Sequence, residues 1–482
     1  MASPPDDLET EPELVAHPTG PAGAQNLLGL VILWNAGNPE HAGAWLAVGA
    51  AEQSKARVLG RGNSRTDDDY ARLFPVHQLP GLNQPVARLQ NRSLSRVQLR
   101  VRCVTNSALA VENVGRCGLW VNGDAVQETL VRAGDVLEIG AQLTLLCTER
   151  PFRLGGIPVA NHAFGVSDEH GFVGESPAAW WLRSECASMA PRDGHVIVFG
   201  ATGTGKELVA ASLHAMSRRP GPLVARNAAT LPESLVDAEL FGNVKGYPNP
   251  GMPDRSGLVG AADRGTLFLD EFADLPLEAQ AHLLRVLDAG EYHRLGEAQA
   301  RRSHFRLIAA TNRAESALRA DVLARFDFRI EVPALSGRRE DIPLLARHLL
   351  HAMSENDPGM RARLFEDGIP RLTPPFVRQL TLRNYPSNVR ELRHLLWSAV
   401  RQSPGDTLEW PRERPGPSGA PSPPSSGAGL EAVGAEELRT ALEANNGSIE
   451  KSWRALGLSS RYVMIRLLRK HGISVTKQFG KR

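Results

Sequence analysis

Short runs in which apolar and polar residues alternate fill the first third of the chain. LLGLVILWN, AWLAVGA, RVQLRVRCV, GLWVNG and LTLLCTE are such runs, and Gly and Asn punctuate them. Period-two patterning with turn residues between the runs predicts an all-β sandwich over residues 26–150. The pattern changes after that. Over residues 165–335 brief apolar strands such as HVIVF, GTLFLD and FRLIAATNR alternate with helically spaced stretches. That alternation predicts an α/β layer with a parallel sheet. Over residues 336–403, REDIPLLARHLLHAM and NVRELRHLLWSAVRQ place apolar residues three and four apart, so a helical subdomain follows. Residues 435–482 read as two or three further short helices.

Composition separates these blocks. The first 25 residues are acidic and Pro-rich and are expected to be a disordered leader. A second break, 404–434, contains RERPGPSGAPSPPSSGAGLEAVG, whose Pro, Ser and Gly cannot bury a core, so it is expected to be a flexible linker. The length of 482 residues allows about three domains. No apolar run approaches the roughly 18 residues of a membrane span, and the N-terminus lacks the basic-then-apolar secretion pattern. The four cysteines, Cys103, Cys117, Cys147 and Cys186, show no metal spacing. They read as reduced thiols in a cytoplasmic protein with no membrane partner. The net charge of +2 selects no partner by itself; its distribution does.

The densest chemistry lies in HVIVFGATGTGKELVAASLH. A strand runs into Gly200, Ala201, Thr202, Gly203, Thr204, Gly205, Lys206 and Glu207, and a helix follows. Glycines let backbone N–H groups turn inward around phosphate oxygens, the lysine adds a point charge, and the helix N-terminus adds its dipole. Glu207 stands where a magnesium-binding hydroxyl is usual. Downstream, GTLFLDEFADLP delivers Asp270 and Glu271 at a strand end. Asp270 can hold Mg²⁺ through water, and Glu271 can polarise an attacking water. FRLIAATNR ends in Thr311 and Asn312, which can reach a γ-phosphate or the lytic water. In LRADVLARFDF, Arg319 and Arg325 are cations suited to transition-state charge, often supplied from a neighbouring subunit.

Together with FVGESPA, RNAATLPESLVDAELFG, LDEFADLPLEAQAHLLRVLDAGEYHRLG and NYPSNVRELRHLL, these stretches resemble the AAA+ activators of sigma-54 RNA polymerase. The resemblance covers about residues 172–402. It implies ATP and Mg²⁺ as cofactors and a homo-oligomeric ring, expected to be a hexamer. It makes Glu207 a family habit and Asp270 and Glu271 the Walker B pair. Thr311 and Asn312 become sensor I, and Asn227 the residue that restrains the catalytic glutamate. It also implies that Arg319 and Arg325 act in trans and that Arg390 is sensor II. One segment departs. Where the family carries Gly-Ala-Phe-Thr-Gly-Ala to grip sigma-54, this chain has Gly246, Tyr247, Pro248, Asn249, Pro250 and Gly251 at unchanged distances from the flanking motifs. Two prolines restrict φ and remove donors, so an altered sigma-54 grip is expected.

In the tail, Asn446-Gly447 breaks a first helix, Ser448 can cap a second, and GLSS makes a tight turn before a third. That spacing is a helix-turn-helix, similar to the Fis type. Ser460, Arg461, Tyr462, Arg466, Arg469 and Lys470 are the expected contacts to enhancer-like DNA. At the other end, VLGRGNSR, RSLSRVQLRVRC and VENVGRCGLWVNGDAV resemble a forkhead-associated (FHA) domain. That implies phosphothreonine binding, on a partner protein or a Ser/Thr kinase, through Arg61, Ser95, Arg96 and Asn122. Arginine suits phosphate because its fork is bidentate. The family's histidine after the Ser-Arg pair is Gln98, and its Ser-x-Asn-Gly turn is RCGL here.

The expected fold is therefore multidomain: an all-β FHA-like sandwich, an α/β AAA+ P-loop ATPase with an α-helical lid, then an all-α helix-turn-helix. The expected function is ATP-driven, DNA-binding transcription regulation acting on sigma-54 RNA polymerase. The alternatives are nucleotide-gated assembly without sigma-54 remodelling, and a phosphopeptide-binding scaffold.

Overall fold

A computed structural model describes residues 26–49, 55–62, 66–67, 70–155, 162–412 and 435–445, with single positions at 452, 456 and 468. The expected leader and most of the expected linker and DNA-binding tail lie outside the described residues. The chain divides into two compact units, Met1–Arg412 and Glu413–Arg482.

The N-terminal region forms two facing sheets. One is eight-stranded and centres on the long antiparallel pair Asn26–Asn35 and Leu143–Pro151; the other is six-stranded and centres on Leu99–Thr105 and Ala108–Asn113. Leu30, Ile32 and Leu46 from the first sheet meet Val101, Leu109 and Val111 from the second in one buried cluster. The alternation of the sequence is the cause, since every second side chain faces the opposite sheet.

A five-stranded parallel sheet follows. Its spatial order is Leu223–Asn227, Thr266–Asp270, Arg306–Thr311, Val196–Phe199 and Phe328–Glu331. Its strands read as unbroken apolar runs because both faces are covered. Ile197, Leu267 and Leu307 pack on one side with Leu240, Leu283 and Val322, while Val196, Phe268 and Ile308 pack on the other with Leu182, Val209 and Leu213. Strand Val196–Phe199 is first in chain order yet lies fourth in space. The chain leaves its carboxyl end to build strands on one side and returns to place the last on the other. That reversal opens a crevice there, where an α/β sheet binds ligands.

The helical lid packs Ile342–Ser354, Pro374–Leu382 and Asn388–Gln402 around Leu335, Leu345, Leu380, Leu392 and Leu396. Its end differs from expectation. Residues 404–412, expected to begin the flexible linker, are folded onto the lid. Leu408 is buried, Trp410 meets Phe376 edge-on with ring centroids 5.8 Å apart, and the Arg412 N–H donates to Gln402. Two apolar anchors in an otherwise polar stretch outweigh its Pro and Gly. The lid also carries the sandwich: Val377 is fully buried against Leu33, Val136 and Leu146, worth about 2 kcal/mol.

Candidate nucleotide site

The loop after strand Val196–Phe199 is shaped by its glycines. Gly203 and Gly205 have φ of +77° and +105°, a region that disfavours other residues. A Cβ on Gly203 would lie 2.2 Å from the Ser387 carbonyl oxygen, so only glycine lets the lid approach this closely. Gly205 leads into helix Lys206–Ser217, whose first turn faces the crevice. The Lys206 side chain is folded inward: Nζ donates to the Gly200 carbonyl at 3.0 Å, and the residue is 7% exposed. The ammonium is thus held over the loop, where a phosphate oxygen can replace that carbonyl. Thr204 donates to the Ala201 carbonyl, closing the turn.

Asp270 ends strand Thr266–Asp270, beside Asn227 at the end of the adjacent strand. Its Oδ1 is buried without a hydrogen-bond partner among the described residues. A buried carboxylate oxygen left open suits a hard cation, so the donor set fits Mg²⁺. Glu271 follows with φ of +49°, an uncommon left-handed conformation for a non-glycine residue. That turn separates it from Asp270. Asn312 Nδ2 lies 3.3 Å from Thr202 Oγ1 and 3.4 Å from Glu271 Oε1. It therefore links the phosphate loop to the second carboxylate. Thr311 behaves differently from expectation: it is fully buried, and its hydroxyl accepts from the Arg313 N–H. Its side chain belongs to the strand end, not the cavity. Asn227 lines the cavity, yet its side-chain oxygen accepts from the Ala229 N–H at 2.9 Å. The partner of Glu271 here is Asn312.

Thr202, Lys206, Asn227, Asp270 and Glu271 border a cavity of about 500 Å³ that reaches from Gly171–Val173 across the phosphate loop to the lid, with Glu207 also on its wall; Asn312 contacts Thr202 and Glu271 and does not line it. Arg390 lines it, and so do Arg338, His348 and Arg393, which sequence reasoning missed. It also missed Asn388, with φ of +50°. Its Nδ2 donates to the Thr202 carbonyl at 3.0 Å and its Oδ1 accepts from the Leu335 N–H at 2.8 Å. The neighbouring Val389 N–H donates to the Gly203 carbonyl at 3.0 Å. The start of the lid helix is thus bonded to the phosphate loop. The signal was the asparagine two residues before the expected arginine in NVREL.

Arg319 and Arg325 do not line this cavity. Arg319 is ion-paired with Asp321, and Arg325 with Asp288 at 2.8 Å, with all four side chains substantially exposed. Exposed pairs of this kind hold a side chain only weakly, so both guanidinium groups are available to another molecule.

Comparison with known proteins assigns this part of the chain to a family. Residues 172–335 fit the family described as Sigma-54 interaction domain, and residues 336–412 fit the AAA+ ATPase lid domain. The transcriptional regulatory protein ZraR of Escherichia coli (strain K12) is 37% identical over 316 residues, 63% of this chain and 70% of that protein. The chain belongs to the sigma-54 activator family. It is an AAA+ ATPase. Another relative is the anaerobic nitric oxide reductase transcription regulator NorR of Aeromonas hydrophila, 37% identical over 285 residues, covering 58% of this chain and 54% of that protein. Among solved structures, NtrX from Brucella abortus in complex with ATP is 28% identical, with a TM-score of 0.44, covering 64% of this chain and 70% of that one.

Outside the matched region, the sandwich brings the loops of Arg61, Ser95 and Arg96 together. The Arg61 N–H donates to the Ser95 carbonyl, the Gly62 N–H to the Arg96 carbonyl, and Arg61 Nε to the Leu94 carbonyl at 2.7 Å. Ser95 Oγ accepts from the Arg116 N–H at 2.9 Å, which adds Arg116 to Arg61 and Arg96. Gln98 is fully buried and donates to Asn113 and to the Cys117 carbonyl, so it supports these loops from beneath. Asn122 is not part of the cluster. It lies at the other end of strand Leu119–Val121, where its side chain bonds Asp135 and the Val136 N–H. The expectation is corrected here: the asparagine shapes a left-handed turn, with φ of +54°.

The segment Gly246–Gly251 is exposed and closed. The Gly246 N–H donates to the Met252 carbonyl and the Met252 N–H to the Asn249 carbonyl, while buried Asn243 bonds the Val244 and Pro253 carbonyls beneath it. Tyr247 leans on Gly296, where an added Cβ would come within 2.7 Å of the ring. In the second unit, helix Ala435–Ala444 is described, and Ser452 Oγ donates to the Ala441 carbonyl. Ser460, Arg461, Tyr462, Arg466, Arg469 and Lys470 lie outside the described residues. No helix among the described residues is long and apolar enough to cross a membrane.

Proposed function

We propose that this sigma-54 activator assembles as a ring, hydrolyses ATP with Mg²⁺, binds enhancer-like DNA through its tail and remodels sigma-54 RNA polymerase. The observation that carries the ATPase part is Asn312, within reach of both Thr202 of the phosphate loop and Glu271. Lys206 and the loop N–H groups bind the triphosphate. Asp270 would hold Mg²⁺, which neutralises charge between the β- and γ-phosphates when bound. Glu271 takes the proton of the attacking water, and Asn312 orients it. Arg390 joins from the lid, and Arg319 and Arg325 of a neighbouring copy reach the charge developing on the γ-phosphoryl group. Release of each arginine from its exposed carboxylate partner costs little.

The sandwich is read as an FHA domain binding phosphothreonine at Arg61, Ser95 and Arg96, with Arg116 beside them. The convergence of those three loops supports this reading, as does the bidentate fit of guanidinium to phosphate.

A second reading has one observation in its favour. The Gly246–Gly251 turn closes on itself and carries two prolines, so it lacks the freedom to rise and present an aromatic ring. In that reading nucleotide drives assembly on DNA without sigma-54 remodelling. Open-complex formation by sigma-54 polymerase with the purified protein and ATP separates the two. Formation supports remodelling, and its failure with intact ATPase supports assembly alone.

A further inference from the structure

Three charged residues in one short segment bring the sandwich, the ATPase core and the lid together. The segment is the 3-10 stretch Leu335–Asp341, which joins core to lid and whose helical path breaks at Arg338, with φ of −140° and ψ of 47°. Arg338 is 7% exposed and lines the nucleotide cavity. Its Nη2 lies 3.4 Å from the Thr204 carbonyl of the phosphate loop, and its Nε has no hydrogen-bond partner among the described residues. Asp341 clamps the core: Oδ1 accepts from the Glu175 and Ser176 N–H groups, and Oδ2 from the Ser176 hydroxyl at 2.6 Å.

Between them, Glu340 turns to the sandwich. Arg150, on strand Leu143–Pro151, places Nη2 3.1 Å from Glu340 Oε1 and Nε 3.4 Å from Oε2. Their side chains are 1% and 6% exposed. Burial pushes the Glu340 carboxyl up, and the Arg150 guanidinium opposes that shift. A buried ion pair is a poor way to gain stability, because desolvation offsets its attraction; a defined position is the better-attested return. Here the position defined is that of a segment two residues from a cavity-lining arginine.

We propose that Arg150 is a positioning residue of the nucleotide site. Held by Arg150, Glu340 sets where Arg338 stands against the phosphate loop, so the sandwich is a working part of ATP binding. By linkage, anything that shifts the sandwich on the lid changes nucleotide affinity, and nucleotide changes the affinity for that partner by the same factor. This inference rests on the reading of the cavity as the nucleotide site.

The test is titration of the full chain with a fluorescent ADP analogue. Four proteins are compared: wild type, R150M/E340M, R338M and the triple variant. Replacing both charges by apolar groups avoids leaving one buried and unpaired. The expected result is a melting temperature of R150M/E340M close to wild type, with ADP affinity about five-fold weaker or more. The triple variant is expected to bind no more weakly than R338M alone, since the pair acts through Arg338. A merely structural pair would lower the melting temperature and leave this non-additivity absent. Unchanged affinity in folded R150M/E340M, or full additivity with R338M, overturns the proposal. R150M/E340Q also leaves no charge unpaired and answers the same question if the apolar pair does not fold. Loss of ADP binding by the wild type would instead overturn the nucleotide reading.

Discussion

At the scale of single residues, the two carboxylates at the end of strand Thr266–Asp270 divide their work through the backbone. The left-handed turn at Glu271 lets one chain end present an open, buried oxygen at Asp270 and a hydrogen-bonded one at Glu271. Glu271→Gln keeps the side chain's shape and removes the base. ATP binding is expected to persist, while turnover falls about 10²- to 10⁴-fold, read by filter binding and phosphate release. Asn388→Ala removes two hydrogen bonds between lid and core at a residue 3% exposed. The expected cost is about 2 kcal/mol, seen as a lower melting temperature and weaker ADP binding. The phosphate-loop and carboxylate motifs were legible in the sequence because their chemistry needs particular residue types at fixed local spacing. Asn388 and Arg338 were not, because the phosphate-loop carbonyls they touch lie more than a hundred residues away. Thr311 and Asn122 were misread for a related reason: a polar residue at a strand end or turn can bond its own backbone, and sequence does not say which way it points.

At the scale of elements, periodicity predicted the sandwich, the parallel sheet and the lid, since each buries a face with its own period. It failed at residues 404–412, where two anchors decide the outcome. Leu408 is 2% exposed, so Leu408→Ala is expected to destabilise the lid by about 2–4 kcal/mol, read as a drop in melting temperature. If the stretch were a free linker, the same change would leave the melt unmoved. The closed Gly246–Gly251 turn is an element-scale departure visible in both sequence and structure. The lone ring it exposes is Tyr247, 45% accessible, so Tyr247→Ala is expected to leave ATP turnover unchanged and to abolish any open-complex activity the wild type shows.

At the scale of the whole molecule, buried and half-buried histidines contribute to the response to acid. Burial pushes His41, His77, His195, His214, His348 and His351 below their ordinary value of 6.5. An unfolded chain takes up these protons near pH 6.5, and the folded chain only lower down, so the unfolded state binds more protons in between. The stability these groups contribute is then full above about pH 7 and is lost as pH falls below about 6.5. A melting temperature clearly lower at pH 5.5 than at pH 7.5 is expected; a flat profile would contradict the sign. The role of Arg319 and Arg325 is the part of the whole least legible in one chain, since neither lines the cavity of its own molecule.

The central claim is that each nucleotide is completed by arginines from the adjoining copy, and subunit mixing tests it most directly. Lys206→Ala should bind no ATP, and Arg325→Ala should bind it without turning it over. When the two inactive proteins are mixed, Arg325 of the first can serve the bound nucleotide of the second, so ATPase activity is expected to reappear with the mixing ratio. Full activity of Arg325→Ala alone, or a mixture as silent as its parts under conditions where the wild type assembles and turns over, would contradict the account.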